Sequence, residues 1–307
     1  MTMTKEIKDR SASIHDKLLN HAKKTNRPFD EILLYYAIER FLYRFGRSKH
    51  KNSATLKGAV MFIVWNAPYS RATRDIDMLG HLNNSMDNVL GMVKDACSVE
   101  VDPDGMVYDS DSVKGEQIIE NGNYKGVRIK FVGYLGRART TMQIDFGFGD
   151  IVFPKPEIIN YPTILAMPAP ELKGYARETV VAEKFHAMVD RGILNSRMKD
   201  FYDIWLLANH FNFSSRTLEE SIRNTFAARK TAIVTAPIAL TDAFTSSEFK
   251  NIQWKAFVRK QKLGYAPENM ADVINALRNF LLPIINSIEK KYKSNLTWLA
   301  PGPWKPA

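Results

Sequence analysis

Two aspartates, spaced two residues apart, are the residues of this chain best placed to do chemistry. Asp75 and Asp77 lie in the segment 74–79, whose polar and apolar residues alternate and predict a strand that stops at Gly80. Residues i and i+2 of a strand point to one face, so the two carboxylates repel each other unless a cation lies between them. Mg²⁺ suits such a pair, because it binds one or two carboxylates together with substrate phosphates. The alternative is a pair of charges at a strand edge.

A glycine turn and a third carboxylate accompany the pair. A short buried strand is predicted to end at Lys57, and Gly58 then begins a turn into a short helix whose N–H groups could hold a triphosphate. Asp145 lies on a second predicted strand, 141–146, and is a candidate third metal ligand. This order is the plan of a nucleotidyltransferase of the DNA polymerase β type, in which two metal ions activate an attacking oxygen and stabilise leaving pyrophosphate.

A lysine stands out in the second half of the chain. The helical neighbours of Lys184 are apolar, so its ammonium must reach solvent, pair with an acid or meet a ligand phosphate. The segment 197–203 offers Asp200 and Asp203 as acidic partners. Because a charge on an apolar stripe is costly, we expect Lys184→Met to be neutral or stabilising for folding.

The elements that must position these residues follow from periodicity and from glycine and proline breaks. Residues 99–151 are predicted to form a β region, and 152–172, rich in proline, an extended connector. Helices are predicted at 11–24, 29–45, 83–97, 177–191, 196–211, 217–228, 247–262 and 268–290, and irregular structure at 301–304. Strands in the first half and helices in the second indicate an α+β fold.

Composition restricts the class of protein. The chain has 307 residues, 45% of them hydrophobic, which excludes a disordered or fibrous chain. A single cysteine, Cys97, excludes an internal disulfide framework and fits a reducing cytoplasm. We expect no secretory signal and no membrane span, because the apolar runs are short. The net charge of +10 favours a polyanionic partner, RNA or DNA, although it could serve solubility alone.

Four segments, taken together, resemble the motifs of the AbiEii/AbiGii toxin family of nucleotidyltransferases. The first motif is Leu56-Lys57-Gly58-Ala59 followed by Arg71-Ala72-Thr73-Arg74-Asp75-Ile76-Asp77-Met78, and the second is Gln143-Ile144-Asp145-Phe146-Gly147. The third is Glu178-Thr179-Val180-Val181-Ala182-Glu183-Lys184, and the fourth is Arg197-Met198-Lys199-Asp200-Phe201-Tyr202-Asp203. Their order and spacing fit the family from about residue 10 to residue 304.

The resemblance implies a polymerase-β-like nucleotidyltransferase domain with a mixed sheet, plus a C-terminal helical domain. Residues 1–50 would be N-terminal helices packing on the core, 51–155 the nucleotidyltransferase domain, and 156–307 a helical domain that completes the active site. It also implies the toxin of a toxin–antitoxin or abortive-infection pair active in phage defence, with an AbiEi-type antitoxin as partner. The expected cofactor is Mg²⁺ and the substrate an NTP, as in related toxins that add nucleotides to tRNA 3′ ends.

Roles carry over position by position. Asp75, Asp77, Lys184 and Asp200 would be catalytic, and Asp75 and Asp77, with Asp145, would bind metal. The nucleotide would be held by Lys57, Gly58, Ala59, Thr73, Arg74 and Lys184. Many relatives have Gly or Ser where this chain has Ala59, which cannot donate a side-chain hydrogen bond to a phosphate.

Three functions compete at this point. The first is a cytoplasmic toxin of the EC 2.7.7 type that transfers a nucleotide to RNA, with the tRNA 3′ end as acceptor. The second is nucleotidyl or phosphoryl transfer to a protein hydroxyl, for instance on the antitoxin. The third is an inactive RNA-binding regulator, which the intact carboxylate pair disfavours. Basic residues near the motifs favour RNA, and they are Arg71, Arg74, Arg137, Arg139, Lys173 and Arg177.

Overall fold

The chain is divided into two compact units that are interleaved along the sequence. The structure, a computed structural model, describes residues 2–81, 85–120, 124–290 and 294–307. Unit 1 consists of Met1–Val64, Thr73–Gly149 and Glu157–Gly174. Unit 2 consists of Trp65–Ala72, Asp150–Pro156 and Tyr175–Ala307.

Most strand residues lie in the first half of the chain and most of the later elements are helices, as predicted. The helices are α1 (Thr2–Thr25), α2 (Phe29–Arg47), α3 (Met61–Val64), α4 (Met86–Cys97), α5 (Arg177–Arg191), α6 (Met198–His210), α7 (Ser215–Ala228), α8 (Asp242–Thr245), α9 (Glu248–Gln261) and α10 (Met270–Glu289). The strands are β1 (Ala54–Lys57), β2 (Asp75–Gly80), β3 (Met106–Glu120), β4 (Tyr124–Leu135), β5 (Ala138–Phe148), β6 (Glu157–Asn160), β7 (Glu171–Gly174), β8 (Phe213–Ser214), β9 (Leu296–Trp298) and β10 (Trp304–Pro306).

Unit 1 is built on a mixed sheet of seven strands in the order β3-β4-β5-β2-β1-β7-β6. β2 pairs in parallel with β5, and β1 pairs in parallel with β7, whereas the other neighbours are antiparallel. α2 packs on β5 and β7, and α4 packs on β3 and β4. The fold is therefore the expected mixed sheet with helices, and a helical region follows it in the chain.

Buried ion pairs tie α2 to the rest of unit 1. Arg44 forms a two-pronged pair with Asp104, with Nη1–Oδ2 and Nη2–Oδ1 distances of 2.6 and 2.9 Å. Glu39, in the same helix, accepts a hydrogen bond from the backbone N–H of Ile164 at 2.7 Å, and Arg40 donates to the carbonyl of Pro168 at 2.8 Å. Burial raises the pKa of Glu39 to about 7, and neighbouring Arg40 opposes that rise. These contacts fix α2 on the core of unit 1.

The proline-rich segment 152–172, predicted to be an extended connector, takes part in the sheet of unit 1. Residues 157–160 form β6, and β7 begins at Glu171, so both strands join the sheet of unit 1. Leu172 and Tyr161 are buried there. The observed division thus assigns 157–174 to unit 1, whereas the sequence placed a boundary at 155/156. Pairing between strands distant in sequence decides this, and local composition does not show it.

Unit 2 is a helical assembly with a small sheet. α5 packs on α6 and α7, and α10 packs on the same two helices. β8, β9 and β10 form an antiparallel sheet in the order β10-β9-β8. The carbonyl of Phe153 accepts hydrogen bonds from Thr179 and Ser221 at 2.8 and 2.7 Å, which anchors the 150–156 segment to this unit.

The helix predictions are confirmed with changes of a few residues at the ends, except that α1 begins nine residues before the predicted start at residue 11; Asn83 lies outside the described residues. Two details were wrong. Gly126 and Gly133 lie inside β4 and do not end strands, and Trp304, predicted irregular, pairs with Trp298 between β10 and β9. Among the described residues, no helix combines the length and the apolar character needed to cross a membrane.

Candidate active site

The aspartate pair lies on one face of β2, at the centre of the unit 1 sheet. Asp75 and Asp77 are half-buried, whereas Ile76 and Met78 between and beside them are completely buried. This alternation confirms the predicted strand, and it gives the two carboxylates a shared face. The packed core holds the strand from the opposite face, so the backbone that carries the pair is fixed by apolar burial.

Charged residues from neighbouring strands extend this face as a row across the sheet. Asp77 is paired in register with Lys57 of β1 on one side and with Asp145 of β5 on the other. Asp145 in turn is paired with Arg128 of β4, and Arg128 with Glu116 of β3. Residues that are directly opposite on neighbouring strands share a face. The sheet thus places Asp145 on the strand adjacent to Asp77, as predicted, and it adds Lys57 and Arg128 to the same row.

The Gly58 turn closely approaches Asp77. Gly58 has φ +73, in the left-handed region that side chains with a Cβ disfavour, and a Cβ there would overlap the Asp77 carboxylate. Ala59 is buried in the 3-10 turn that follows, and α3 after it has only four residues. The close approach of Asp77 therefore requires glycine at this turn. Because α3 has only four residues, its dipole contributes little to anion binding.

The residues immediately before the pair have separate roles in the structure. Thr73 is buried; its hydroxyl donates to the carbonyl of Asp75 at 3.3 Å, and its N–H donates to the Tyr35 hydroxyl at 3.3 Å. These bonds fix the start of β2. Arg74 is exposed. The phosphate contacts predicted for both residues stay predictions.

Asp145 is held by a guanidinium. Arg128 Nε and Nη2 donate to Asp145 Oδ1 and Oδ2 at 2.8 and 2.7 Å, and Gln143 Nε2 lies 3.3 Å from Oδ1. Hydrogen bonding with Asp145 raises the pKa of Arg128, and the negative charges of Asp145 and Asp75 add to that rise, which burial opposes. Both oxygens of this carboxylate therefore already accept charge-assisted hydrogen bonds.

A divalent cation fits Asp75 and Asp77 by donor type. Hard oxygen donors on one half-buried face are the ligands that Mg²⁺ takes, with waters and substrate phosphates completing its shell. Within the part of the chain that the structure describes, no three His, Cys, Asp or Glu residues group closely enough to hold a metal. The structure therefore does not assemble the predicted three-carboxylate cluster, and metal binding by Asp75 and Asp77 stays a prediction.

A second charged cluster lies in unit 2, around Lys184. The ammonium lies 2.7 Å from Asp203 Oδ2 and 3.1 Å from Asp200 Oδ1, and the lysine side chain is only 12% exposed. Arg71 forms a fork with Asp203, both distances being 3.0 Å, and Arg197 Nε lies 2.6 Å from Asp200 Oδ2. Of the three alternatives for Lys184, pairing with acids is confirmed. We call these five residues the Lys184 network.

Electrostatics keep the Lys184 network fully ionised. Burial opposes ionisation of Asp200, yet Lys184 and Arg197 outweigh it and lower its pKa to about 2. Burial likewise acts against the charge of Asp203, but Arg71 and Lys184 hold its pKa below the usual value. Burial alone would lower the pKa of Lys184, and the two carboxylates raise it instead. Three cations and two carboxylates leave one net positive charge.

Two expectations change because of this network. Lys184→Met would remove a partner from two buried acids, so it is expected to destabilise the protein, contrary to the interpretation from the apolar stripe. Arg71, expected at an RNA-binding surface, is 12% exposed and bonded to Asp203. Of the other basic residues, Arg74, Arg137 and Arg139 are exposed, Lys173 is half-buried, and Arg177 lies over the Phe211 ring at 4.7 Å.

The comparison with protein families shows to which family the chain belongs. The sequence profile of the family described as "Nucleotidyl transferase AbiEii toxin, Type IV TA system" matches residues 40–279, which include the acidic pair and Lys184. The chain belongs to this family. It is therefore a nucleotidyltransferase of a toxin–antitoxin system, and the predicted family and fold are confirmed.

Two solved structures from Helicobacter pylori resemble the whole chain. One, assigned as a nucleotidyltransferase, is 15% identical with a TM-score of 0.49, and the match covers 90% of this chain and 98% of that one. The other, JHP933, is 15% identical with a TM-score of 0.45, covering 89% and 94%. At these values neither bears on the activity of this chain. No curated protein shows significant sequence similarity to it.

Sequence reasoning missed Arg128 and the full Lys184 network. Arg128 lies in the run 127–132, where charged residues alternate with apolar ones, so the sequence indicates that its side chain lies on the polar face of a strand. The sequence does not indicate that Asp145 is its partner, because that pairing depends on the register between β4 and β5. Arg71 was noted only as a basic residue, and its partner Asp203 lies 132 residues further along the chain.

Proposed function

We propose that this toxin transfers a nucleotide from an NTP to an RNA hydroxyl, with the 3′ acceptor end of tRNA as the substrate, in a Mg²⁺-dependent reaction. The observation that carries the proposal is the shared face of Asp75 and Asp77 on β2, with the Gly58 turn against Asp77. Two half-buried carboxylates beside a tight turn are suited to bind a cation together with a polyphosphate.

In this reaction the acceptor hydroxyl attacks the α-phosphate in line, and pyrophosphate leaves. A bound divalent cation would supply positive charge to the phosphates as negative charge develops on them. Asp75 and Asp77 would hold it by their carboxylates, on a strand that the core keeps in place. The Gly58 turn would present backbone N–H groups to the phosphates, and Gly at this position leaves room for the Asp77 side chain.

The acceptor is proposed to be RNA because of charge. The chain carries +10, and Arg137 and Arg139 are exposed at the turn that joins β4 to β5. Arg139 also lines a groove of about 630 Å³ on the β3–β4–β5 side of unit 1, together with Lys114, Lys130 and Arg128. Basic side chains beside a catalytic face attract a polyanion and fix its position without reading sequence.

We further propose that an AbiEi-type antitoxin counteracts the protein in the cytoplasm, in abortive infection directed against phage. The family supports an antitoxin partner in general terms. The identity of that partner is tested by co-expression. Growth arrest on expression of the toxin should be relieved by its cognate antitoxin.

Nucleotides labelled at different phosphates test the reaction type. The protein is incubated with total tRNA and each NTP labelled at the α- or the γ-phosphate, with Mg²⁺ or EDTA. We expect label in RNA from α-labelled NTP only, and only with Mg²⁺. Label in RNA or protein from γ-labelled NTP would indicate phosphoryl transfer. Label from α-labelled NTP in added antitoxin, with none in RNA, would assign the acceptor to protein.

A further inference from the structure

Asp145, the third carboxylate of the row across β2, β5 and β4, is bonded to a guanidinium through both of its oxygens. Its two oxygens accept from two different nitrogens of Arg128, at 2.8 and 2.7 Å, in the planar fork that guanidinium and carboxylate groups form. Asp145 is 8% exposed, so these bonds are shielded from solvent. A cation at Asp145 would have to compete with the guanidinium for the negative charge of this carboxylate.

The strand register places Arg128 where it can act on the substrate. Asp145 lies between Asp77 and Arg128 in the row across β2, β5 and β4. The Arg128 side chain is 31% exposed and lines the groove described above, so part of the guanidinium faces solvent. Only one strand, β5 with Asp145, separates Arg128 on β4 from Asp77 on β2.

We propose that Asp145 is a positioning residue that holds Arg128 beside the acidic pair, and that Arg128 binds the phosphates of the substrate. The metal is then held by Asp75 and Asp77 without a third carboxylate. This inference rests on the proposed function. A free third carboxylate would repel a triphosphate, whereas the Arg128–Asp145 pair is neutral and still offers exposed guanidinium donors.

Binding of Mn²⁺ alone, followed by electron paramagnetic resonance without nucleotide, separates the two roles of Asp145. The variants are Asp75→Asn, Asp145→Asn, Arg128→Met and the charge-neutral double variant Arg128→Met/Asp145→Asn. The double variant matters because Asp145→Asn alone leaves an unpaired cation, which would weaken Mn²⁺ binding by charge repulsion. Lys94→Met, which removes an exposed cation of α4 outside the groove, is the matched control.

We expect Asp75→Asn to lose at least about 10-fold in Mn²⁺ affinity, as for removal of a ligand or its close support. The double variant should bind within about 3-fold of the wild type, and Arg128→Met as well as the wild type or more tightly. A double variant as weak as Asp75→Asn would overturn the proposal and make Asp145 a ligand. Wild-type protein that binds no Mn²⁺, or binding insensitive to Asp75→Asn, would instead overturn the proposed function and this inference with it.

Steady-state kinetics test the phosphate contact. Arg128→Met and Asp145→Asn should each raise KM for the NTP or for RNA, or lower kcat, by about 10-fold or more, with little further loss in the double variant. Arg128→Lys keeps the charge and loses the fork, so it should recover only part of the activity. Equal activity of Arg128→Met and Lys94→Met would contradict a specific role for Arg128.

Discussion

Replacing Lys184 by methionine is the sharpest test of the unit 2 cluster. The ammonium bonds Asp203 at 2.7 Å and Asp200 at 3.1 Å, and both carboxylates are almost completely buried. Methionine is of similar length and suits the apolar neighbours of the lysine stem. The substitution therefore removes charge and hydrogen bonding while changing packing little.

The magnitude follows from the bonds lost. Hydrogen bonds to charged groups contribute about 1.5–3 kcal/mol each, and removing one partner of a buried ion pair costs about 3–5 kcal/mol. Arg71 and Arg197 still pair with Asp203 and Asp200 in the variant, and methionine avoids the desolvation of an ammonium. We expect the free energy of unfolding to fall by about 2–4 kcal/mol.

Tryptophan fluorescence in urea measures this effect in the relevant unit, because all five tryptophans lie in unit 2. With a slope of about 2 kcal/mol per molar urea, the midpoint should fall by about 1–2 M. Lys255→Met, at an exposed lysine of α9, is the matched control and should change stability by less than about 0.5 kcal/mol. A Lys184→Met midpoint equal to that of the control would refute the reasoning.

The difference between wild type and Lys184→Met should depend on pH. The folded-state pKa of Asp200 is about 2, below its usual value of 3.8, so the stability from this charge is complete above about pH 4 and is lost as pH falls towards 2. The raised pKa of Lys184 gives a contribution that is complete below 10.5 and is lost above its folded-state pKa. The difference in stability should therefore be largest near neutral pH and smaller at pH 3.

Three other predictions concern unit 1. Gly58→Ala should lower the free energy of unfolding by about 1–2 kcal/mol and reduce transfer activity, because residue 58 has a positive φ and its Cβ would overlap the Asp77 carboxylate. The control is Gly91→Ala in α4, where a Cβ meets nothing within 4 Å, and it should be neutral or stabilising in thermal denaturation. Burial raises the pKa of the Cys97 thiol to about 12, so Ellman's reagent at pH 8 should react with it only in denaturant; rapid reaction of the native protein would contradict its placement. Replacing Arg137 and Arg139 by Gln should lower RNA affinity and reduce the slope of log affinity against log salt by about 1.4, and an unchanged slope would exclude both as phosphate contacts.

Local sequence signals predicted the elements and the face of the acidic pair. The alternation around Asp75 and Asp77 was sufficient, because a strand with one buried face must place both carboxylates on the other. The helix that carries Lys184 was equally clear from its periodicity. Glycine at position 58 marked a turn, and the positive φ confirms that only a residue without a Cβ fits there comfortably.

Contacts between residues distant in sequence could not be predicted from local patterns. The register between β4 and β5 determines that Arg128 meets Asp145, and no local pattern encodes it. The pairing of β6 and β7 was not predicted either, because the proline-rich composition of this segment is typical of a connector. In the sequence, Lys184 has only apolar helical neighbours. The carboxylates that pair with it, Asp200 and Asp203, belong to α6, and the packing of α5 on α6 brings them to the lysine.

Transfer of label from α-labelled NTP to tRNA by Asp75→Asn and Asp77→Asn tests the central claim most directly. Protection of Cys97 from Ellman's reagent reports that unit 1 remains folded in each variant. We predict that both variants lose at least about 100-fold in transfer rate while the thiol stays protected. A folded variant of either aspartate that transfers nucleotide at a rate close to the wild type would contradict the assignment of this pair as the catalytic centre.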